Sequence, residues 1–488
     1  MAFAATSSAV VIGLSGHLVR IEARLSAGQG GFQLAGLPDG TAAAVRDRVR
    51  AAILNSGLAW PDQQVTVTVL PSGIPAYGSS LDLAIAVAIL AADGTIPTER
   101  LTNTAFLGEL GLDGSIRQVG GLSCAVQALV TSGIRSVAIP LGNASEDNTR
   151  CAVIAAESLT ELVDRLNSGA LATVTNPPEA GQVLSLDLAD LPGNHAARHA
   201  LEVCAAGGHH LLLIGDGPAT MLAERLPGIL PQLDDADLAE VTEIYALTET
   251  PRHSRRPPLC APHYTDTAAA IFGRRATGRL RPGAVSLAHA GVLFLDQAPE
   301  YARSILDGLR HPLDTGEIIL ADWDGIPRLP ARFQLLLASS PCACGGASSC
   351  RCGPVERHRY LHRLTGLRDR IEITAPIEPL DRNAASGGPS SAVADRVAAA
   401  RARTAHRLAG TPWRTNAQVS AWELRTSYRL DPDALDPLES RLRAGALTPS
   451  TLTRMLRLAW TLADLRAAPR PTRDDTQLAL RLWHGEPA

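Results

Sequence analysis

The chain has 488 residues, of which 45% are apolar and 19% are charged. These values exclude an intrinsically disordered protein, and the length exceeds what one ordinary core accommodates. The net charge of −4 excludes a global field that attracts polyanions, so any contact with nucleic acid has to be local. All 45 basic residues are arginine, which excludes mechanisms that need a lysine.

The first predicted unit, residues 1–166, alternates strands with helices. VTVTV at 65–69 has the two-residue period of a strand, and DLAIAVAILAA at 82–92 is typical of a buried helix. IRSVAIP at 134–140 predicts another short strand. The Gly, Pro and Asn content of residues 167–181 predicts a linker.

The second predicted unit, residues 185–381, contains apolar strands separated by helical stretches. Such strands imply a parallel sheet covered by helices. They are HLLLIG (210–215), GVLFLD (291–296) and FQLLLASS (333–340). The third unit, residues 393–488, is predicted to be helical from its apolar spacing.

No targeting or membrane segment is expected. The N-terminus lacks the basic region of a signal peptide, and the longest apolar run, residues 83–92, is too short to cross a bilayer. Eight cysteines without a secretory signal favour the reducing cytoplasm.

A strand, a Gly-rich turn and a helix follow one another in HLLLIGDGPATMLAERL, as in a phosphate-binding loop. From Gly215, four residues lead directly to Thr220, so the expected Gly-Lys pair is missing. Asp216 adds negative charge, and Pro218 lacks an N–H donor. An ordinary strand-to-helix turn and a degenerate phosphate loop are both open. The candidate nucleotide-binding residues are Gly215, Asp216, Gly217, Pro218, Ala219, Thr220 and Met221.

GVLFLD ends in Asp296, about 75 residues further along the chain. An acid at the end of a neighbouring apolar strand suits Mg²⁺ binding. The next residue is Gln297, where a second acid would activate water.

Four cysteines form a C-x-C-x₅-C-x-C pattern at Cys342, Cys344, Cys350 and Cys352. Four thiolates can hold Zn²⁺ tetrahedrally, although C-x-C is tighter than the usual C-x₂₋₄-C. Reduced thiols in a loop are the alternative.

Arginines cluster in three places that are candidates for phosphate contacts, with an ordinary charged surface as the alternative. The clusters are Arg252, Arg255 and Arg256; Arg274, Arg275, Arg279 and Arg281; and Arg357, Arg359 and Arg363.

Several stretches together resemble the ComM/YifB family of magnesium-chelatase-like AAA+ ATPases. The N-terminal stretches are GLSGHLVRIEARLSAG, GLPD, VRDRVRAAILNSG, FLGELGLDGSIRQVGG and IP-x-x-NASE. The later ones are AAGGHHLLLIG, MLAERLPGILP, RPGAVSLAHAGVLFLD, the four-cysteine loop, RYLHRLTG, DRIEI, RTNAQVS and MLRLAWTLADL. The resemblance implies an α/β multidomain protein: a Lon-protease-like α+β N-terminal domain, an AAA+ P-loop-type parallel sheet and a C-terminal helical lid.

The family is implied to form hexameric rings that use ATP with Mg²⁺ to move DNA. By the resemblance, Asp296 holds Mg²⁺, Gln297 replaces the catalytic Glu, and Ser340 replaces the Asn that positions water. Arg370 corresponds to the arginine finger that is donated to a neighbouring subunit. Arg457, or with less support Arg454, corresponds to the lid arginine.

In the Lon-like domain, Ser80 falls at the nucleophile position and the partner Lys falls at Ser123. Proteolysis is therefore not expected.

The expected function is that of a degenerate ATPase with weak or no hydrolysis, acting as a scaffold or regulatory subunit in DNA-associated processes. Its expected partners are copies of itself or an active paralogue in a ring, and DNA is a further candidate; no membrane partner is expected. Two alternatives are an active DNA-remodelling motor for branch migration and a magnesium chelatase accessory subunit.

Overall fold

The computed structural model describes residues 2–12, 15–28, 30–71, 80–143, 151–169, 186–248, 252, 254–276, 279–320, 327–344, 350–381, 384–385 and 387–486. The predicted linker at 167–181 lies outside this part of the chain from residue 170 onward, as do residues 144–146 of the family motif IP-x-x-NASE.

A mixed seven-stranded sheet forms the N-terminal part. Its strand order is β3-β4-β2-β1-β5-β8-β9, and β6 and β7 form a separate short pair. The strands are β1 (Ala2–Ile12), β2 (Ser15–Ser26), β3 (Phe32–Ala35), β4 (Gln64–Leu70), β5 (Thr104–Phe106), β6 (Glu109–Leu110), β7 (Ile116–Arg117), β8 (Ser136–Pro140) and β9 (Ala152–Ala156). The helices are α1 (Asp39–Asn55), α2 (Asp82–Ala92), α3 (Leu122–Thr131) and α4 (Leu159–Ser168).

The expected strand and buried helix are both present in this part. In β4, Val65, Val67 and Val69 are buried on one face, as the alternation predicts. All 11 residues of α2 are buried. Its one charged residue, Asp82, accepts a hydrogen bond of 2.8 Å from Arg48 Nε, which compensates for burying the carboxylate.

A five-stranded parallel sheet organises the middle part, in the order β11-β14-β17-β10-β18. The strands here are β10 (Leu211–Gly215), β11 (Leu259–Cys260), β12 (Gly273–Ala276), β13 (Arg279–Pro282), β14 (Val292–Leu295), β15 (Glu317–Ile319), β16 (Arg328–Pro330), β17 (Gln334–Ser339) and β18 (Ile373–Ile377). The helices are α5 (His195–Gly207), α6 (Ala219–Ile229), α7 (Asp235–Ala246), α8 (Ala268–Phe272), α9 (Ala284–Leu287), α10 (Arg303–Gly308), α11 (Arg310–Thr315), α12 (Pro354–Leu361) and α13 (Thr365–Arg368). The two outlying pairs, β12–β13 and β15–β16, are antiparallel.

The C-terminal part is helical among the described residues. Its helices are α14 (Ser390–Arg407), α15 (Ala421–Arg425), α16 (Pro432–Arg443), α17 (Pro449–Leu465) and α18 (Arg473–His484). They share one hydrophobic core with one face of the parallel sheet, so that Leu211 of β10 and Leu458 of α17 belong to the same buried cluster. The coarse expectation of a mixed α/β protein with a parallel sheet and a helical C-terminus is confirmed.

Candidate nucleotide-binding site

Most of the expected site residues gather where the parallel strands end, which we call the carboxyl edge. Ile214 of β10 pairs with Ser339 of β17, so the turn after β10 lies beside Ser340. The hydroxyl of Thr220, in the first turn of α6, donates a hydrogen bond of 3.2 Å to Asp296 Oδ2. The residues expected to carry nucleotide chemistry on β10, β14 and β17 are therefore neighbours, because parallel strands present their carboxyl ends at one edge.

The turn between β10 and α6 contains only three residues, Asp216 to Pro218. Two glycines allow it to pack tightly against the end of β18. Gly215 has φ 147°, and a Cβ there would lie 1.9 Å from the carbonyl oxygen of Ile377. A Cβ on Gly217 would lie 2.4 Å from the carbonyl oxygen of Glu378. The turn is shorter than the loop that wraps phosphate in P-loop proteins, and it brings no cationic side chain.

Asp296 and Gln297 form a turn directly after β14. Gln297 adopts a left-handed backbone with φ 50°, and its N–H donates to Asp296 Oδ1 at 2.9 Å. The Gln297 side chain is exposed. Asp296 thus accepts two hydrogen bonds, from Gln297 N–H and from Thr220, while the adjacent amide side chain has no basic oxygen for taking a proton from water.

Arg370 and Arg457 lie at the opposite end of the strands, which we call the amino edge. They line a cavity of about 900 Å³ between the starts of the strands and the C-terminal helices. Residues that immediately precede strands, including His210, Gly291 and Glu372, line the same cavity. A five-residue strand rises roughly 15 Å, so the carboxyl edge and the amino edge are about that far apart along the sheet.

Several arginines lie at the amino edge, and they donate hydrogen bonds to nearby carboxylates and carbonyl oxygens. Arg370 makes a bidentate ion pair with Asp314, with Nη2–Oδ2 at 2.5 Å and Nε–Oδ1 at 2.8 Å, and this pairing raises the pKa of Arg370. Arg457 Nε donates to the Val419 carbonyl at 2.8 Å, and burial lowers the pKa of Arg457. Burial also lowers the pKa of Arg401 to about 10.

The sequence reading missed several residues of this cavity, among them Asp314, Glu372, Arg401 and Arg414. They come from a helix end, a strand start, α14 and a loop. Their shared position depends on packing between distant segments, and we find no local pattern that could have indicated it.

The four cysteines lie together between β17 and α12. Their sulfur atoms all lie within 4.8 Å of one another. A second group with metal-ligand chemistry is Asp237, Glu240 and His289. Its carboxylates already pair with Arg332, at 3.1 Å from Asp237 and 2.6 Å from Glu240, so this guanidinium takes the place that a metal cation would need.

Comparison with known proteins identifies the family. The sequence matches three family descriptions in order: Subunit ChlI of Mg-chelatase over residues 21–143, Magnesium chelatase, subunit ChlI over residues 187–385, and Magnesium chelatase, subunit ChlI C-terminal over residues 387–482. It is 33% identical to YifB of Escherichia coli over 98% of this chain and 97% of that protein. The chain belongs to the ComM/YifB family. The expected resemblance is therefore confirmed, and the parallel sheet with its helical C-terminus fits an AAA+-like, magnesium-chelatase-like member.

Other relatives cover nearly the whole length as well. An uncharacterized protein of Mycobacterium tuberculosis is 42% identical over 98% of both chains. Competence protein ComM of Haemophilus influenzae is 34% identical over 96% of this chain and 94% of that protein.

The Lon-like part of the expectation has weaker support. Lon protease 2 of Bacillus subtilis is 27% identical over 27% of this chain and 23% of that protein.

Among the described residues, none of the helices is both long and apolar enough to span a membrane.

Proposed function

We propose that this ComM/YifB-family chain is a ring-forming AAA+ subunit that hydrolyses ATP weakly or not at all and acts as a scaffold or regulatory subunit in DNA-associated processes. The observation that carries the proposal is the depleted carboxyl edge. Asp296 and Thr220 are in place, but the turn after β10 is short, Gln297 follows Asp296, and the chain contains no lysine. Neither the turn after β10 nor Gln297 therefore supplies positive charge that would stabilise a transferring phosphoryl group.

The amino edge supports a role toward a neighbouring subunit. Arg370 and Arg457 face a cavity at the opposite end of the sheet from Asp296, so they are poorly placed to act on this chain's own nucleotide site. In a ring, one subunit's amino edge can meet the next subunit's carboxyl edge. Arg370 is then the arginine finger offered to an active partner, which is either a paralogue or another copy.

DNA contact is proposed for the β12–β13 hairpin. Arg274 and Arg281 are exposed and sit directly opposite each other in this antiparallel pair. Like charges at such positions destabilise a hairpin, and a bound polyanion removes that repulsion.

The proposal also includes cytoplasmic location and the three-part division at residues 1–166, 185–381 and 393–488.

Steady-state ATP hydrolysis, measured beside an intact relative such as YifB, tests the proposal. We expect no turnover above the Asp296→Ala variant, and Gln297→Glu alone is not expected to restore it, because the loop still lacks its Gly-Lys pair. Inserting Gly-Lys before Thr220 together with Gln297→Glu has the better prospect of restoring hydrolysis. Turnover that equals the relative's and disappears in Asp296→Ala would instead support an active DNA-remodelling motor, the function that the Thr220–Asp296 contact favours.

A magnesium chelatase accessory role is the remaining alternative. The family descriptions name subunit ChlI, which favours it. If metal is inserted into a porphyrin faster in the presence of this chain than in its absence, that result would support the accessory role over the proposed one.

A further inference from the structure

We propose that Cys342, Cys344, Cys350 and Cys352 bind a single Zn²⁺ ion that fastens the loop after β17 to the start of α12. Every sulfur lies within 4.8 Å of the other three. In a tetrahedral site with Zn–S near 2.3 Å, the sulfurs lie about 3.8 Å apart, which this cluster reaches with small shifts. Zinc binding by these four cysteines does not require that the chain bind or hydrolyse nucleotide.

The two C-x-C arms approach the same point from opposite ends of the loop. Cys342 and Cys344 follow the carboxyl end of β17, and Cys350 and Cys352 precede α12. The Cys342 sulfur lies 2.8 Å from that of Cys344 and 3.0 Å from that of Cys350. A tight C-x-C pair is no obstacle here, because each arm supplies only two of the four ligands.

Four thiols at this separation require an interaction that stabilises their close approach. A thiol is a weak donor and a weak acceptor, so hydrogen bonds among them compensate little for the loss of water. If all four were deprotonated without a cation, they would repel one another. All four are free cysteines in the structure, so no disulfide holds the group. One divalent cation bound to four thiolates resolves the repulsion, and a single ion suits this compact group better than an iron–sulfur cluster, whose ligands are spread around several irons.

The surroundings fit a metal centre with net negative charge. Arg357 Nη2 lies 3.7 Å from the Cys350 sulfur, where a cation offsets the charge of the thiolates. Cys342 is 1% exposed, whereas Cys344 is exposed, so the cluster is anchored on its inner side and open to metal entry on its outer side.

The proposed ion would support the carboxyl edge from outside the sheet. On α12, burial is the largest cause of a raised pKa for Tyr360, and its hydrogen bond with Glu300 is the next. Glu300 ends the short turn that follows Gln297. Just beyond α12, Arg363 Nη2 donates to the Tyr301 carbonyl at 3.4 Å. Fixing the start of α12 therefore holds the segment that follows Asp296.

The experiment measures zinc in the full-length protein, purified under reducing conditions without chelator. We expect about one zinc per chain, and four thiols that alkylate only after a strong chelator is added. Cys344→Ser should lose most of the zinc, whereas Cys344→His should keep it, because histidine replaces cysteine in Cys₃His sites and position 344 is exposed. Cys151→Ser, which changes a cysteine of the N-terminal part, should leave zinc unchanged.

Three results would overturn the proposal. They are less than roughly 0.2 zinc per chain after incubation with ZnCl₂ and reductant, iron in place of zinc, and full zinc content in Cys344→Ser. If Cys344→Ser does not fold, the protection of the four thiols from alkylation in the unaltered protein becomes the deciding measurement. Four thiols that alkylate freely without chelator would then reject the site.

Discussion

The two edges of the parallel sheet differ in chemistry although they belong to the same five strands. At the carboxyl edge, a short turn, Gln297 and Ser340 leave Asp296 and Thr220 without a cationic partner from the turn. At the amino edge, Arg370, Arg401, Arg414, Arg454 and Arg457 surround one cavity. Under the proposed function, this difference means that the chain lacks residues for its own nucleotide chemistry and offers the arginines of the amino edge to a neighbour.

The largest expected effect comes from removing a buried carboxylate of α17, the helix that carries Arg454 and Arg457 of the amino edge. Asp464 of α17 is 1% exposed and accepts hydrogen bonds from Arg407, from Thr404 at 2.8 Å and from Asn416 at 2.9 Å. Asp464→Ala leaves Arg407 largely buried without its anion, so we expect a loss of about 3–5 kcal/mol in the free energy of unfolding. Urea denaturation measures this loss. Asp433→Ala, which removes an exposed pair with Arg473, should cost less than about 1 kcal/mol. Similar losses in both variants would show that the buried network does not hold α17.

The carboxyl edge has its own sensitive position at Gly215. In Gly215→Ala the new Cβ meets the Ile377 carbonyl oxygen at 1.9 Å on a backbone with φ 147°, so the turn has to move away from β18. We expect a loss of about 3 kcal/mol, by steric strain, in thermal or urea unfolding. In Gly388→Ala no atom lies within 4 Å of the new Cβ, and stability should change by less than about 1 kcal/mol. Equal stability of the two variants would contradict the tight packing of the turn against β18.

The stability of the protein should depend on pH through His209, which immediately precedes His210 of the amino edge. His209 is fully buried, its Nε2 lies 2.8 Å from the Thr461 hydroxyl, and burial lowers its pKa from 6.5 to about 4. Glu372 partly opposes this shift, whereas Arg457, His210 and Arg401 act in the same direction as burial.

Because the folded state holds neutral His209, its contribution is present above pH 6.5 and is lost as the pH falls toward 4. The loss of unfolding free energy expected from this lowering of the His209 pKa is about 3 kcal/mol. His209→Gln keeps a polar side chain that does not titrate, so the difference in unfolding free energy between the two proteins should change across that window. A constant difference would show that His209 titrates alike in both states.

The smallest expected stability effect comes from Arg370→Ala. Its partner Asp314 has a side chain that is 55% exposed, so the pair should contribute less than about 1 kcal/mol. In mixtures with an active relative, the relative should hydrolyse less ATP beside Arg370→Ala than beside the unaltered chain. Arg303→Ala, which removes an exposed ion pair whose arginine side chain is 92% exposed, should leave that hydrolysis unchanged. Equal hydrolysis with either variant would remove the proposed role toward a neighbour.

Local features of this protein follow from the sequence alone. The strand ending in Asp296, the turn from Gly215 to Thr220, the absent lysines and the family membership all depend on contiguous residues or on composition. Apolar patterning predicts which residues are buried, and both the alternation in β4 and the continuous apolar run in α2 agree with it. The four-cysteine pattern is also local, and it predicts a candidate metal site before any geometry is known.

Only the tertiary structure decided which segments meet. Strand order places Ile214 beside Ser339, although 125 residues separate them, and brings Thr220 within hydrogen-bond distance of Asp296. The C-terminal helices pack into the same core as one face of the sheet, and this packing positions Arg457 near Arg370. Apolar periodicity encodes that a face is buried but not against which partner, because hydrophobic attraction has no direction. The sequence therefore identifies the residues that lie at the carboxyl edge, whereas the arginine-lined cavity of the amino edge forms only when distant segments pack together.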